Sequence, residues 1–292
     1  MKSAWILVPA ALCLTGAALP QEKPASPQPD LAAISARGQA LFAYDQAAAR
    51  GTDALFALKP DPKGLAHYIC EKTPSGWTIL VPRWNQSRDQ LEVVYEARET
   101  KGKFVPRKLD QPAPADSHLV AMERALELAT ADFPAPQRRY NMAVLPAPDA
   151  KIYVYLYPGQ TRENVWPLGG DVRYTISPDG KTILEKRKLH NSLRDYSIRD
   201  NQTAGYHLHD VTDVPEDTDV FFVLNRKPSM PEIIGTSKTL FTIQKDGRID
   251  MEGVANVLRI RSEFGEPRKE LTDPSKYIDE SYFNKATSTA RR

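Results

Sequence analysis

The segment 205–219, GYHLHDVTDVPEDTD, places His207 and His209 one residue apart and follows them with five acidic residues. Side chains on a β-strand alternate with period two, so both imidazoles project from one face. Two ring nitrogens presented together are the beginning of a divalent-metal site. His190 ends an earlier segment, EKRKLH, and joins the pair if the two strands are neighbours. Asp210 completes the set as an oxygen ligand, and Asp213 is the other acid in position to do so. Either can instead orient an imidazole through its second nitrogen. Three histidines and a carboxylate suit zinc, iron or another divalent transition metal. Such a metal acidifies a bound water into a nucleophile near neutral pH.

The same segment has a plainer reading. Pro215 interrupts regular structure, and Asp213, Glu216, Asp217 and Asp219 have the composition of a solvated turn, with Asp217 or Thr218 bonding local backbone. On this reading the histidines decorate the end of an exposed strand. Five histidines in 292 residues are a small stock for a metal centre.

Other chemistries lack their templates. The chain contains no G-x-S-x-G nucleophile turn, no H-E-x-x-H, no G-x-x-x-x-G-K phosphate loop and no C-x-x-C. Gly169 and Gly170 lead into a strand rather than a helix, so they offer no helix N-terminus to a phosphate and mark a bulge or strand entry. The basic runs EKRKLH and PRK lack an accompanying row of aromatics, and the formal net charge is only +2, so no nucleic-acid partner is expected. Cys70 lies in the apolar run LAHYICEK and reads as a buried strand residue rather than a nucleophile.

The elements that must position these residues divide the chain. Residues 1–18 form a three-part export leader: Lys2, an apolar stretch, then Gly16, Ala17 and Ala18 before the expected cut. Cleavage removes Cys13 and leaves Cys70 alone, so the body is held by packing without an internal disulfide, and no membrane span remains. A proline-rich spacer at 19–30 is expected to be disordered. Residues 31–140 read as an α+β unit. A helix with apolar residues Ile34, Leu41, Ala48 and Leu55 every seven positions, open to a break at Gly51, precedes two hairpins turning at 73–76 and 101–102. A second helix begins at Asp116 or Ser117 and stops at Pro134. Residues 141–265 read as an antiparallel β-rich unit, including a strand at DVFFVLN, and 266–292 as a polar tail.

The expected fold class is therefore α+β, a helix-plus-hairpin unit followed by a mainly antiparallel sheet unit. The expected function is that of a periplasmic or secreted non-catalytic protein, without a cofactor, that binds an envelope or extracellular partner. The loop 225–236, with two prolines around an exposed Met230, is the candidate contact. The alternative is a metal-dependent enzyme built on His190, His207 and His209.

Overall fold

Helix α1, Leu31–Phe56, buries Ile34, Leu41, Tyr44, Ala48 and Leu55 along one stripe and runs unbroken through Gly51. Its approach to a later helix depends on Gly38. A Cβ there would stand 2.4 Å from the Val220 Cβ and 2.5 Å from the Asp217 carbonyl oxygen, so only glycine permits the contact. The computed structural model describes residues 30–60, 67–134, 137–198, 202–237 and 239–250, with 262 and 270. The expected leader at 1–18, all of the spacer except Asp30, and the tail at 266–292 except Glu270 lie outside the described residues.

Four antiparallel strands follow in sequence order: β1 Ile69–Thr73, β2 Gly76–Trp84, β3 Leu91–Thr100 and β4 Lys103–Pro114. Their turns fall where the glycines place them, with Thr73 opposite Gly76 and Thr100 opposite Lys103. Cys70 is buried on β1, and burial pushes its thiol far up, which makes it unreactive. Helix α2, Ser117–Asp132, starts under an Asp116 carboxylate that accepts from the Leu119 amide at 2.8 Å.

The remaining strands are β5 Tyr140–Pro146, β6 Ile152–Pro158, β7 Val165–Leu168, β8 Val172–Ile176, β9 Ile183–Lys188, β10 Arg194–Ser197 and β11 Gly205–Leu208. Helix α3, Asp217–Asn225, precedes β12 Glu232–Gly235, β13 Leu240–Ile243 and β14 Ile249–Asp250. They form a sheet ordered β5-β6-β8-β9, a pair β10-β7 and a sheet ordered β11-β12-β13-β14. The fold is α+β with mainly antiparallel sheets. One core joins α1, α2 and the two four-stranded sheets of the first two-thirds of the chain through Leu41, Tyr44, Ile79, Leu126, Tyr155 and Tyr174. A smaller core of Ile34, Val220, Val223, Ile234, Phe241 and Ile243 joins α1, α3 and the last sheet. Each fully buried Leu, Ile or Val there contributes roughly 1.5–3 kcal/mol.

Residues 217–225 depart from the strand expected of DVFFVLN. Intrinsic strand preference spans only ~1 kcal/mol and yields to packing. The segment is a helix because it is apolar on all sides and has a neighbour on each: Val220 and Val223 in the smaller core, Phe221 against Tyr157, and Phe222 against Tyr196 and Trp166. It makes β11 and β12 the one parallel pair among the described strands, since parallel neighbours need a crossover and a helix provides it. Met230, expected to be exposed, is 3% exposed. Its carbonyl accepts from Arg226 at 2.8 Å.

Candidate metal centre

The βαβ unit puts three of its residues at one point. His207 lies on β11 and His209 just past its end, both on the strand's inward face, where the burial alternates. Asp219 occupies the third position of α3. There its Oδ2 accepts from the Glu216 amide at 2.6 Å, and negative charge is favoured by the helix dipole. His190 arrives from the loop after β9. The expected route, direct pairing of its strand with that of His207, does not occur, because β9 pairs with β8 and β11 with β12. The loop is instead braced by Gly169, at φ 85°. A Cβ there would meet the Ser192 carbonyl oxygen at 2.0 Å and the His190 Cβ at 3.2 Å. The double glycine thus serves close backbone approach, not anion binding.

Three imidazole Nε2 atoms converge on the Asp219 carboxylate. His190 and His207 lie 3.0 Å from Oδ1, and His209 lies 2.9 Å from Oδ2. The Nε2 atoms of His190 and His209 are 3.1 Å apart. All four ligand atoms fall within 4.8 Å of one another and all four residues are buried. Four ligands at metal–ligand distances of 2.0–2.1 Å on a tetrahedron stand roughly 3.3 Å apart. The contacts of 2.9–3.1 Å fall a few tenths of an ångström short of that edge, while the widest spacing in the set, up to 4.8 Å, exceeds it, so an ion enters by opening some pairs and drawing others in.

The second ring nitrogens decide which tautomer is held. His190 Nδ1 is 2.9 Å from Asp171 Oδ1, His207 Nδ1 is 2.9 Å from Glu232 Oε1, and His209 Nδ1 is 3.3 Å from Thr212 Oγ1. An ionised carboxylate only accepts, so the Nδ1 atoms of His190 and His207 must carry protons. In the neutral rings the lone pairs then sit on Nε2 and point to the common centre. Thr212 Oγ1, which has Val214 O at 2.7 Å and Glu216 Oε1 at 3.0 Å as acceptors, keeps a lone pair for His209. Imidazoles held through their second nitrogen in this way have the outer arrangement of metal-ligating histidines.

Charge balance points the same way. Glu232 faces the Arg226 guanidinium at 2.6 Å, Glu216 faces Arg187 at 2.5 Å, and Asp217 is held between Arg173 at 2.5 Å and Arg37 at 2.9 Å. Among the described residues no arginine or lysine pairs with Asp171 or Asp219, and their ion-pair partners are imidazoles. Without an ion, the rings themselves must carry the compensating charge. Burial pushes the His190 imidazolium down, but Asp219 and Asp171 outweigh it and carry its pKa up to about 11. Burial likewise opposes the charged form of His207, and the hydrogen bonds and charges of Asp219 and Glu232 raise it to about 9. Burial alone raises the Asp219 carboxyl, yet His209 and His190 hold it well below the usual range. A dication at the centre supplies the same two positive charges.

Asp210 does not join the cluster; it is exposed on the rim of a neighbouring pocket. Its place as the acidic member is taken by Asp219. Asp213 is also outside, accepting from the Ser237 hydroxyl. Glu216, Asp217 and Asp219, read as a solvated turn, are buried. Sequence reasoning missed Asp219 because it treated α3 as a strand. The available signal was Glu216 followed at three residues by an acid, just ahead of an apolar run, which marks a helix start. The other two histidines stand elsewhere: His67 bonds Glu123 at 2.8 Å, and His118 is exposed at the start of α2.

On one side the centre opens into a pocket of 390 Å³ that has His190 and His207 at its surface. No protein-family model, curated protein or solved structure matches the chain. The side chains alone carry the functional argument.

Proposed function

We propose that the protein is an exported metal-dependent enzyme holding one divalent transition-metal ion on His190, His207, His209 and Asp219. The observation that carries this reading is the convergence of three Nε2 atoms on one buried carboxylate, with the Nδ1 of each ring tied to an oxygen. Nitrogen and carboxylate ligands without a thiolate suit zinc, iron or manganese. Bound there, the ion acidifies a coordinated water or polarises a substrate oxygen. The protein's own part is to hold the neutral tautomers, to keep the four donors buried, and to leave His190 and His207 facing a pocket that admits water and substrate. Export is supported by the leader pattern of residues 1–18. No helix among the described residues is long and apolar enough to cross a membrane.

One observation favours a second reading. Four protein ligands are enough to close a tetrahedral shell, and closed shells are structural. The protein is then a non-catalytic exported binding module for an envelope or extracellular partner, with the ion stabilising its βαβ unit. Elemental analysis of untagged protein tests the shared premise: about one equivalent of metal is expected, and less than about a tenth after reconstitution rejects it. The absorption of cobalt-substituted protein then separates the two. Five- or six-coordinate cobalt that exchanges solvent supports the enzyme, and inert four-coordinate cobalt supports the structural ion.

A further inference from the structure

Arginines around the centre are nearly all committed to carboxylates: Arg173 and Arg37 to Asp217, Arg187 to Glu216, and Arg226 to Glu232. Arg194 is different. It lies on β10, is exposed, lines the pocket together with His190 and His207, and its side chain has no hydrogen-bonding or ion-pair partner among the described residues. Its position is well defined, because β10 pairs with β7 in a register that sets Arg194 opposite Leu168, itself next to the brace at Gly169. Ser192, Arg194 and Tyr196 alternate along the chain, so they present one face to the pocket, with His190 at its inner end. The opposite wall carries Tyr206 and Leu208, both about half exposed, at 55% and 50%.

The pocket therefore joins two electrophilic points, the ion and a guanidinium, across a space with apolar flanks. A guanidinium without a side-chain partner, in the same pocket as two of the proposed metal ligands, is suited to a ligand with two acceptor oxygens. Asp210 also lines the pocket, and its carboxylate disfavours added negative charge, so a monoanion is preferred to a dianion. Leu168, Leu208 and the rings of Tyr196 and Tyr206 suit an apolar body, and 390 Å³ is at the small-molecule end of ligand pockets. We propose that this pocket binds a small organic monocarboxylate with an apolar or aromatic body, one carboxylate oxygen on the metal and the other on Arg194. The proposal rests on the metal-centre reading above.

The test uses the full chain loaded with cobalt, whose visible absorption reports ligands entering the metal's shell. Phenylacetate, its neutral amide phenylacetamide, and inorganic phosphate are titrated in turn. Phenylacetate is expected to shift the spectrum saturably, with the amide weaker by at least about tenfold, as for the loss of a charge-assisted bond. Arg194→Gln is expected to weaken phenylacetate by a similar factor while cobalt affinity stays unchanged. Because the acid-to-amide comparison is made on the unaltered protein, it decides the matter even if the variant misfolds. Equal binding of acid and amide, phosphate binding tighter than phenylacetate, or unchanged phenylacetate affinity in Arg194→Gln overturns the proposal. Protein that takes up no cobalt overturns the metal reading and this one with it, and the metal content alone distinguishes that failure from the others.

Discussion

Metal uptake by this protein should expel protons, and the number follows from the geometry. In the ion-free protein, His190 and His207 are held as imidazoliums, with pKa values up to about 11 and about 9. A metal ligand must offer a lone pair, so both Nε2 protons leave when the ion enters, while the Nδ1 protons stay on the bonds to Asp171 and Glu232. At neutral pH at least two protons are therefore released per ion. Each one makes the apparent affinity change tenfold per pH unit, equivalent to about 1.4 kcal/mol. Zinc affinity should then rise about 100-fold for each unit between about pH 6 and pH 8. Calorimetry in two buffers of different ionisation enthalpy counts the protons directly, and competition with a chelator across the pH range measures the slope. A release of fewer than one proton, or an affinity flat with pH, would refute the reasoning. It would mean that the rings are neutral without an ion, and that Asp171 and Asp219 find their compensation elsewhere.

Three further outcomes are expected. Asp219→Asn should lower zinc affinity by more than about 100-fold, whereas Asp210→Asn should leave it unchanged, both read by chelator competition. Removing the negative charge of Asp217 strands Arg173, which is 5% exposed, so Asp217→Asn should cost about 3–5 kcal/mol in denaturant unfolding. Stability of the ion-free protein should fall at high pH. His190 and His207 have folded pKa values above the unfolded value, so their contribution is complete below about 6.5 and is lost as pH rises through about 9 and then about 11. Bound zinc should abolish that alkaline loss, and thermal melts with and without the ion over this range check it.

Much of the framework can be read along the chain because it rests on local rules. The two hairpins at 73–76 and 101–102, the Asp116 cap of α2 and the turn at Ser177 to Gly180 each depend on a few adjacent residues. The seven-residue stripe of α1 and the burial of Cys70 follow from apolar spacing in the same way. Gly38 and Gly51 are another matter. They look like weaknesses in α1 until the carbonyl of Asp217 and the side chain of Ile79 are found against them.

Sequence by itself determined the α+β class and the pairing of His207 with His209 on one strand face, because a period of two needs nothing but a strand. It also nominated His190. The tertiary structure alone decided that 217–225 is a helix, since three apolar neighbours outweigh a preference worth ~1 kcal/mol. From that one change the rest follows. A helix brings Asp219, ten positions beyond His209, back over the strand, while Asp210, adjacent in sequence, points away to solvent. Nearness along the chain named the wrong acid because a crossover sets distance in space, and only packing sets the crossover.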